Sequence, residues 1–432
     1  MPRKNKGGLL ARVNFPLYTI QILTSRHILV GGGGGSAKTG VANGFEIFEL
    51  SHDGVQFIAE EVTRHETGPS VVMNCATYND GKNTWIVAGQ ESHCQLYSVH
   101  SRVVTLENGD IPKKSGIPNP EGLRQRKKSE RSEENIRNNA ERVEEIKDTN
   151  FNVKSKKLQL IVKSMDSIQT DFGEKEALQR IVRVSPSGKV MVTGGTDGRV
   201  RIWKFPQLLK LHDMEAHTKE IDDMDFNPDG NLLASIAKDG RAVLWDVTTG
   251  TKNKELTWNP PGNAKYLYKR CRFSMSEEKT PKTQLFTLSN AAVGKNPSYL
   301  QLWDTEAGLI VKSVSFRETL SALAVSDNGR FVAVGTMFSG SVDIFIAFSL
   351  QRVLHVAGAH SMFVTGLEFL PTRNDGPAIT SNAETAVVSI SVDNRICVHS
   401  LPFRYTVPIW VVIVCIILSI FCAFVFCSYM GI

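Results

Sequence analysis

A run of five glycines at residues 31–35 is followed by Ser-Ala-Lys-Thr-Gly at residues 36–40. Read as a phosphate-binding loop, this segment departs from the pattern G-x-x-x-x-G-K-[ST], because Ala37 stands where the second glycine belongs. A phosphate loop must also open a helix whose N-terminus faces the anion. The sequence that follows, VANGFEIFEL, has the alternation of a strand instead. The segment therefore argues against direct nucleotide binding and predicts a glycine-rich connection between strands.

Glycine loses more conformational entropy on ordering than any other residue, so five in succession are costly inside a folded domain. Such a run is favoured where the backbone must approach a ligand or a partner closely. We therefore expect the connection that begins at Gly31 to be functional, with a merely flexible link as the alternative.

A second set of residues could be mistaken for a hydrolase site. His217, Ser235 and Asp239 contain the three residue types of a catalytic triad, but they precede Trp245 at the spacing of the hydrogen-bonded tetrad of regular WD repeats. In that tetrad the serine and histidine are buried structural partners, so we expect no nucleophile here. The pair His93-Cys94 has no second pair at zinc spacing and predicts no metal site.

These residues belong to a repeating pattern of short alternating runs joined by Gly-containing turns. The segment from Asp223 to Val247 ends in Trp-Asp, and Trp203 precedes Trp245 by 42 residues, which is a propeller period. Phe345 takes the tryptophan position 42 residues after Trp303. With more degenerate units on either side, the sequence predicts an all-β, seven-bladed WD-repeat-like β-propeller over residues 1–401.

Two interruptions break the period. The wider spacing between Trp245 and Trp303 predicts a long insertion between Lys252 and Lys282. Residues 107–149 are rich in acidic and basic side chains with few apolar ones, so they cannot build a core and are expected to be disordered. The formal charge of +6 is modest, and this segment balances its charges, so no nucleic-acid partner is expected. The scattered cysteines indicate a reducing compartment.

The C-terminus carries an uncharged apolar stretch, VPIWVVIVCIILSIFCAFVFCS, at residues 407–428. A bilayer core of ~30 Å requires roughly 20 apolar residues in a helix. We predict one transmembrane helix at 407–428, after a juxtamembrane linker at 402–406 and before a lumenal tail at 429–432. Arg404 precedes the stretch and no charge follows it, which favours a cytosolic propeller.

Five features occur together in this chain: an N-terminal FPLY, the segment VGGGGGSAKTGVANG, the strand AGQESHCQLY, WD-like blades and a C-terminal anchor. This combination is specific. Over essentially the whole chain it resembles the family of the prolactin regulatory element-binding protein, endoplasmic-reticulum exchange factors for Sar-family GTPases. That resemblance implies guanine-nucleotide exchange without covalent chemistry, at the endoplasmic reticulum membrane, as the start of COPII coat assembly and transport to the Golgi. The implied partners are a Sar-type small GTPase and the membrane.

The resemblance also implies the site residues. The GTPase-contacting loop would consist of Gly33, Gly34, Gly35, Ser36, Ala37, Lys38, Thr39, Gly40 and Asn43. A potassium ion would be held by backbone carbonyls around Gly33, Gly34, Gly35 and Ser36. Two other functions stay open at this point: a membrane-tethered WD-repeat scaffold without exchange activity, and a transcriptional regulator.

Overall fold

The computed structural model describes residues 8–35, 40–105, 156–174, 176–275, 282–372, 379–380, 383–403 and 409–431. Within these residues the strands form seven antiparallel four-stranded sheets, and the first strands of neighbouring sheets contact each other around a closed ring. The predicted seven-bladed propeller is therefore confirmed. The charged segment at 107–149 lies outside the described residues.

The first two blades differ in strand length. After β1 (Gly8–Arg12), blade one contains β2 (Leu17–Ile22), β3 (His27–Gly32), β4 (Gly44–His52) and β5 (Phe57–Glu66). Blade two contains β6 (Val72–Asn79), β7 (Thr84–Gln90), β8 (His93–Thr105) and β9 (Lys156–Gln169). Of the small compact unit Ser101–Leu160, the described part is the end of β8 and the start of β9.

Blades three and four have short strands, and blade five has longer ones. Blade three contains β10 (Gln179–Val184), β11 (Val190–Gly195), β12 (Val200–Lys204) and β13 (Leu209–Met214). Blade four contains β14 (Ile221–Phe226), β15 (Leu232–Ala237), β16 (Ala242–Asp246) and β17 (Lys252–Leu256). Blade five contains β18 (Tyr266–Met275), β19 (Thr283–Ala291), β20 (Ser298–Asp304) and β21 (Leu309–Phe316).

The last two blades complete the ring. Blade six contains β22 (Leu320–Val325), β23 (Phe331–Thr336), β24 (Val342–Ile346) and β25 (Gln351–Val356). Blade seven contains β26 (Val364–Phe369), β27 (Ala383–Ser391) and β28 (Arg395–Pro402), and β1 is its fourth strand. The N-terminal strand thus closes the ring by pairing with the last strand of the propeller, so that both ends of the propeller are held in one sheet.

The single insertion expected between Lys252 and Lys282 is corrected by the structure. Lys252 begins β17, a regular fourth strand of blade four, and a short 3₁₀ turn at Pro261–Asn263 precedes β18. The extra length goes largely into β18 and β19, which extend the first hairpin of blade five, while residues 276–281 lie outside the description. A strand that continues to pair satisfies its backbone groups more easily than a long surface loop.

The predicted tetrad of blade four is confirmed as a buried structural network. His217 Nε2 lies 2.8 Å from Ser235 Oγ, His217 Nδ1 lies 3.0 Å from an Asp239 carboxylate oxygen, and the Trp245 indole donates to Ser235 Oγ at 2.8 Å. Ser235 is fully buried, so no substrate can reach it. Burial lowers the pKa of His217, which favours the neutral ring that this network requires.

One helix, α1 (Ile409–Met430), follows the propeller in sequence. Its stretch Ile409–Cys427 has a mean hydropathy of 3.1 and is long and apolar enough to cross a membrane. Gly431, with φ of 74°, follows the last turn in the left-handed conformation common at helix C-termini. The described helix, Ile409–Met430, covers most of the span predicted at 407–428, and residues 404–408 lie outside the description.

Candidate functional site

The glycine-rich segment connects the second and third strands of blade one. Strand β3 ends at Gly32 and β4 begins at Gly44, and these two residues pair directly in the antiparallel register. The strand predicted after the glycine run is thus confirmed, and the segment does not open a helix. Of the nine residues in the predicted GTPase-contacting loop, Ser36, Ala37, Lys38 and Thr39 lie outside the described residues, so their contacts stay predictions.

The glycines at the base of the loop are required by packing. A Cβ at Gly32 would lie 1.9 Å from the Pro16 carbonyl oxygen, and one at Gly33 would lie 2.2 Å from Asn43 Oδ1. Gly33 also has φ of 144°, which strongly favours glycine. The base is therefore closely packed, with the Gly33 amide donating to the Pro16 carbonyl at 3.1 Å.

The glycines farther along the loop have a different reason to be there. Gly35 and Gly40 have φ of 80° and 77°, and a Cβ on either would meet no atom of the described chain within 4 Å. The backbone conformation favours glycine at both positions, while the space around them is open. The part of the chain that the structure describes leaves this space unfilled, so the loop combines a packed base with a tip that is open beside Gly35 and Gly40.

Asn43 holds the base of the loop. Its Oδ1 accepts a hydrogen bond from the Gly35 amide at 2.8 Å, while its Nδ2 donates to the carbonyl oxygens of Gly35 at 3.1 Å and of Gly68 and Pro69 at 3.0 Å each. The Thr67 amide donates to the Asn43 carbonyl at 3.0 Å. One side chain thus links both polar groups of Gly35 to the connection between blades one and two.

This geometry refines the predicted role of Asn43. Its side chain is only 6% exposed, so it has little surface to offer a partner. We interpret Asn43 as a positioning residue that fixes the direction in which the loop leaves the blade. Sequence reasoning missed this role because residues 68 and 69, which complete the network, are distant along the chain.

Three aromatic side chains pack together next to the base of the loop. The rings of Phe45 and His65 stack with centroids 5.1 Å apart, and the Tyr97 ring of blade two packs edge-on against both, at 5.3 and 5.1 Å. Gln90 Nε2 donates to the Tyr97 hydroxyl at 2.7 Å. Burial lowers the pKa of His65 and raises that of Tyr97, so both are neutral near pH 7. This packing gives the loop a rigid support.

A buried carboxylate also lies two residues beyond the loop. Glu46 is 1% exposed, and Arg64 Nη2 on the neighbouring strand lies 2.7 Å from its Oε1. Burial raises the pKa of Glu46 to about 7 in spite of this arginine. A glutamate inside the apolar run GFEIFEL was visible in the sequence, although the alternation alone placed it on either face of β4.

Comparison with known protein families identifies part of the fold directly. The model of the WD domain, G-beta repeat, matches residues 173–204 and 209–246. These ranges cover blade three and most of blade four, where the tryptophans of the repeat are present. The other blades have diverged further from the repeat pattern.

The comparison with individual proteins extends over almost the whole chain. It is 35% identical over 419 residues to the guanine nucleotide-exchange factor SEC12 of Mus musculus, which covers 95% of this chain and 94% of the mouse protein. The chain belongs to the SEC12 family of guanine nucleotide-exchange factors. SEC12 of Rattus norvegicus is 34% identical over the same length. The family resemblance predicted from the sequence is therefore confirmed.

A more distant relative shares only part of the molecule. SEC12-like protein 1 of Arabidopsis thaliana is 29% identical over 203 residues, which cover 46% of this chain and 48% of the plant protein. The match to the mammalian SEC12 proteins, at 95% of the chain, extends well beyond the two recognised repeats. Membership of the SEC12 family therefore does not depend on the WD repeats alone.

Proposed function

We propose that this SEC12-family chain releases GDP from a Sar-type small GTPase at the endoplasmic reticulum membrane, the step that starts COPII coat assembly. The observation that carries the proposal is the loop at residues 33–43, whose base is packed and hydrogen-bonded while its tip is open. A scaffold that only gathers partners does not need such a loop.

The proposed mechanism is non-covalent. Small GTPases hold their switch loops in place through nucleotide phosphate and magnesium. A partner that binds the open arrangement of those loops more tightly than the closed one lowers nucleotide affinity by that difference in free energy. The rigid base would let the loop keep its own shape while it displaces the switch loops.

The proposed potassium ion fits the chemistry of the segment. Protein potassium sites use backbone carbonyl oxygens in place of the hydration shell. Near the loop, the carbonyl oxygens of Gly35, Gly68 and Pro69 lie within 3.1 Å of a single atom, Asn43 Nδ2, so this backbone can direct several carbonyls towards one point. We assign the ligands to the carbonyls around Gly33, Gly34, Gly35 and Ser36. When bound there, the ion would stiffen the loop.

The helix Ile409–Met430 supplies the proposed anchor, with the propeller on the cytosolic side of the membrane. Confining an exchange factor to one membrane confines the place where the activated GTPase accumulates. Arg404, which lies shortly before the helix, supports this orientation.

The test is GDP release from a Sar-type GTPase by the full chain in liposomes, in potassium and in sodium at equal ionic strength. We expect acceleration that is greater in potassium. Gly35→Ala should slow release, because alanine resists the φ of 80° at this position by about 1–2 kcal/mol. Gly54→Ala is the matched control, since Gly54 has φ of 96° and equally open surroundings in the connection between β4 and β5.

Each outcome has a separate meaning. No acceleration in either salt contradicts the proposed exchange on a Sar-type GTPase. Equal acceleration in both salts contradicts the potassium site alone. Equal slowing by Gly35→Ala and Gly54→Ala would assign the effect to the fold and remove the loop from the mechanism.

A further inference from the structure

The central channel of the propeller opens into a cavity of about 290 Å³ at the end from which the glycine loop leaves. The loop and the cavity share this end because Leu17, at the start of β2, pairs with Gly32 at the end of β3. Each innermost strand contributes the residue at its β-bulge, and we call this ring and the adjoining Arg270 the channel mouth. The ring consists of Tyr18, Met73, Arg180, Asp222, Lys269, Ser321 and Thr365.

The channel mouth contains more basic than acidic groups. Asp222 Oδ1 lies 3.3 Å from Lys269 Nζ and 3.7 Å from Arg180 Nη2, so one carboxylate oxygen faces two cations. The other carboxylate near Arg180, Glu220, is 4.0 Å away and is already 2.6 Å from Lys238. Arg180 and Lys269 therefore share one close carboxylate, while Arg270 has no ion pair within 4.0 Å among the described residues and is attracted most strongly by Asp223.

The hydrogen-bond donors of these cations are largely unused. Arg270 donates to the Lys269 carbonyl at 3.1 Å, which is the single hydrogen bond of its guanidinium within the described residues. The Arg180 guanidinium makes none there, since its ion pairs are longer than a hydrogen bond. An arginine carries five N–H donors in a rigid fork. Two such forks at one cavity form an arrangement that suits an oxyanion.

The polar neutral residues of the ring do not compete for this role. The Ser321 hydroxyl donates to the Val364 carbonyl at 2.7 Å, and the Thr365 hydroxyl donates to the Leu17 carbonyl at 2.8 Å. Both hydroxyls join neighbouring blades through backbone groups. The cations are thus the groups with spare donors.

Deeper in the channel the carboxylates outnumber the arginines. Arg272 Nη1 lies 2.6 Å from Asp223 Oδ2, and Arg183 lies 3.5 Å from Asp223 and 3.9 Å from Asp225. Glu368 lines the same part of the channel, and burial raises its pKa to about 7 in spite of both arginines. Two arginines there lie near three carboxylates, whereas the mouth has three cations around Asp222. The difference indicates that the mouth is not simply an extension of the structural network below it.

We propose that the channel mouth binds a phosphate-bearing anion through Arg180, Lys269 and Arg270. Arginine forks recognise phosphate oxygens bidentately, and charge-assisted hydrogen bonds of this kind are stronger than neutral ones. The cavity of about 290 Å³ has room for more than one phosphate group, because a single water molecule occupies only about 10–15 Å³ by the same measure of volume. Burial lowers the pKa of Arg270 in spite of the nearby Asp223, and burial together with the proximity of Arg270 lowers the pKa of Lys269.

The same chemistry could come from a soluble inositol polyphosphate or from the headgroup of a phosphoinositide. Both sources are available to a chain with a membrane helix, and both present phosphate monoesters. The proposal does not depend on exchange activity or on the identity of the GTPase. An acidic protein segment is a different ligand, and binding of phosphate probes distinguishes it.

The test is isothermal titration calorimetry on the full chain in nanodiscs. Inorganic phosphate and inositol hexakisphosphate are the soluble probes, and nanodiscs with or without phosphatidylinositol phosphate supply the lipid. We expect inositol hexakisphosphate to bind more tightly than phosphate. If the lipid headgroup occupies the mouth, then inositol hexakisphosphate should bind more weakly in the phosphoinositide nanodiscs.

Two variants of opposite sign separate binding from folding. Arg270→Gln should weaken binding by about tenfold or more, as expected for the loss of one charge-assisted interaction. Asp222→Asn removes the competing carboxylate and should tighten binding. Thermal unfolding without ligand checks that both variants fold, and Lys210→Gln on blade three is the matched surface control.

Failure of both soluble probes to bind would overturn the proposal, as would equal affinity of Arg270→Gln and the unmodified chain. Weaker binding by Asp222→Asn would also overturn it, because a general loss of structure would then explain both variants.

Discussion

Blades one and four have the same strand order and the same register, yet their second and third strands are joined differently. In both, the third strand carries a bulge, and Phe48 and Trp245 occupy the equivalent position after it. In blade four the connection is the tight turn at residues 238–241, whereas in blade one it is the glycine loop at 33–43.

Each connection is held by one buried or nearly buried polar side chain. In blade four, Asp239 accepts hydrogen bonds from the amides of Thr218 and Arg241 and contacts the His217 ring. In blade one, Asn43 bonds both polar groups of Gly35. The comparison teaches that a blade can exchange its tight turn for a longer loop when one side chain satisfies the backbone groups at the base.

The largest expected effect tests the blade-four half of this comparison. His217→Ala removes the centre of the tetrad and leaves Ser235 and Asp239 without that partner, at a cost of about 3 kcal/mol in the free energy of unfolding. Exchange per folded molecule should be unchanged, because the tetrad does not contact the glycine loop. Denaturant unfolding and GDP-release assays on the same preparation measure both quantities.

His100→Ala is the control for that experiment, since His100 is exposed. It should leave stability and exchange unchanged. A slower exchange in the His217→Ala chain at a temperature where it is fully folded would break the comparison, because the regular blade would then contribute to activity.

A smaller effect on stability, with a larger one on activity, is expected for Asn43→Ala. The variant loses the four hydrogen bonds of a buried side chain, but Gly68 and Pro69 are exposed and can bond water instead, so the free energy of unfolding should fall by about 1–2 kcal/mol. Exchange should fall by about tenfold or more, since misplacing a positioned group by ~1 Å can cost 10²-fold. GDP release measured well below the unfolding temperature separates the two effects.

Asn79→Ala is the matched control for Asn43→Ala. Asn79 also bonds a glycine amide, that of Gly81, at 2.7 Å in an exposed turn of blade two. If Asn43→Ala exchanged nucleotide as fast as this control, then the loop would not depend on its anchored base. Asn43→Asp keeps the acceptor but turns an oxygen towards three carbonyls, so it should be as slow as the alanine variant.

The repeated part of the fold could be predicted from the sequence because each blade carries its own signals. Trp203, Trp245 and Trp303 each donate to a hydroxyl of the preceding strand at 2.8 Å, so the local pattern and the local structure coincide. Blade seven shows where this fails. His399 takes the tryptophan position there and bonds Ser389 at 2.8 Å, which no Trp-based pattern would find.

Features made by residues from distant parts of the chain could not be predicted in this way. Strand β1 closes the ring only through pairing with β28, at the other end of the propeller. The cations of the channel mouth are isolated in their own strands and become a group only when the blades close. The glycine run was visible, but its division into a packed base and an open tip depends on Pro16 and Asn43 in space.

An effect confined to one range of pH is expected at the position where blade one has Glu46 and blade four has Val243. These residues pair with Val30 and Ser235, two equivalent positions of the second strand. The pKa of Glu46 is raised in the folded state to about 7, above its ordinary value of 4.5. Between these values the folded chain binds more protons than the unfolded chain, so stability should fall as pH rises, by at most about 1.4 kcal/mol per pH unit.

Glu46→Gln removes this titration and keeps the shape of the side chain. Relative to the unmodified chain, the variant should therefore gain stability between pH 4.5 and 7 and show a constant difference above that range. Urea unfolding across this pH range measures the difference, with Glu60→Gln on the exposed side of β5 as the control. If the free energy of unfolding varied with pH in parallel for Glu46→Gln and the unmodified chain, then Arg64 would hold the Glu46 carboxylate ionised without a loss of stability. The ionised Glu46 of blade one would then destabilise its blade no more than Val243 destabilises blade four.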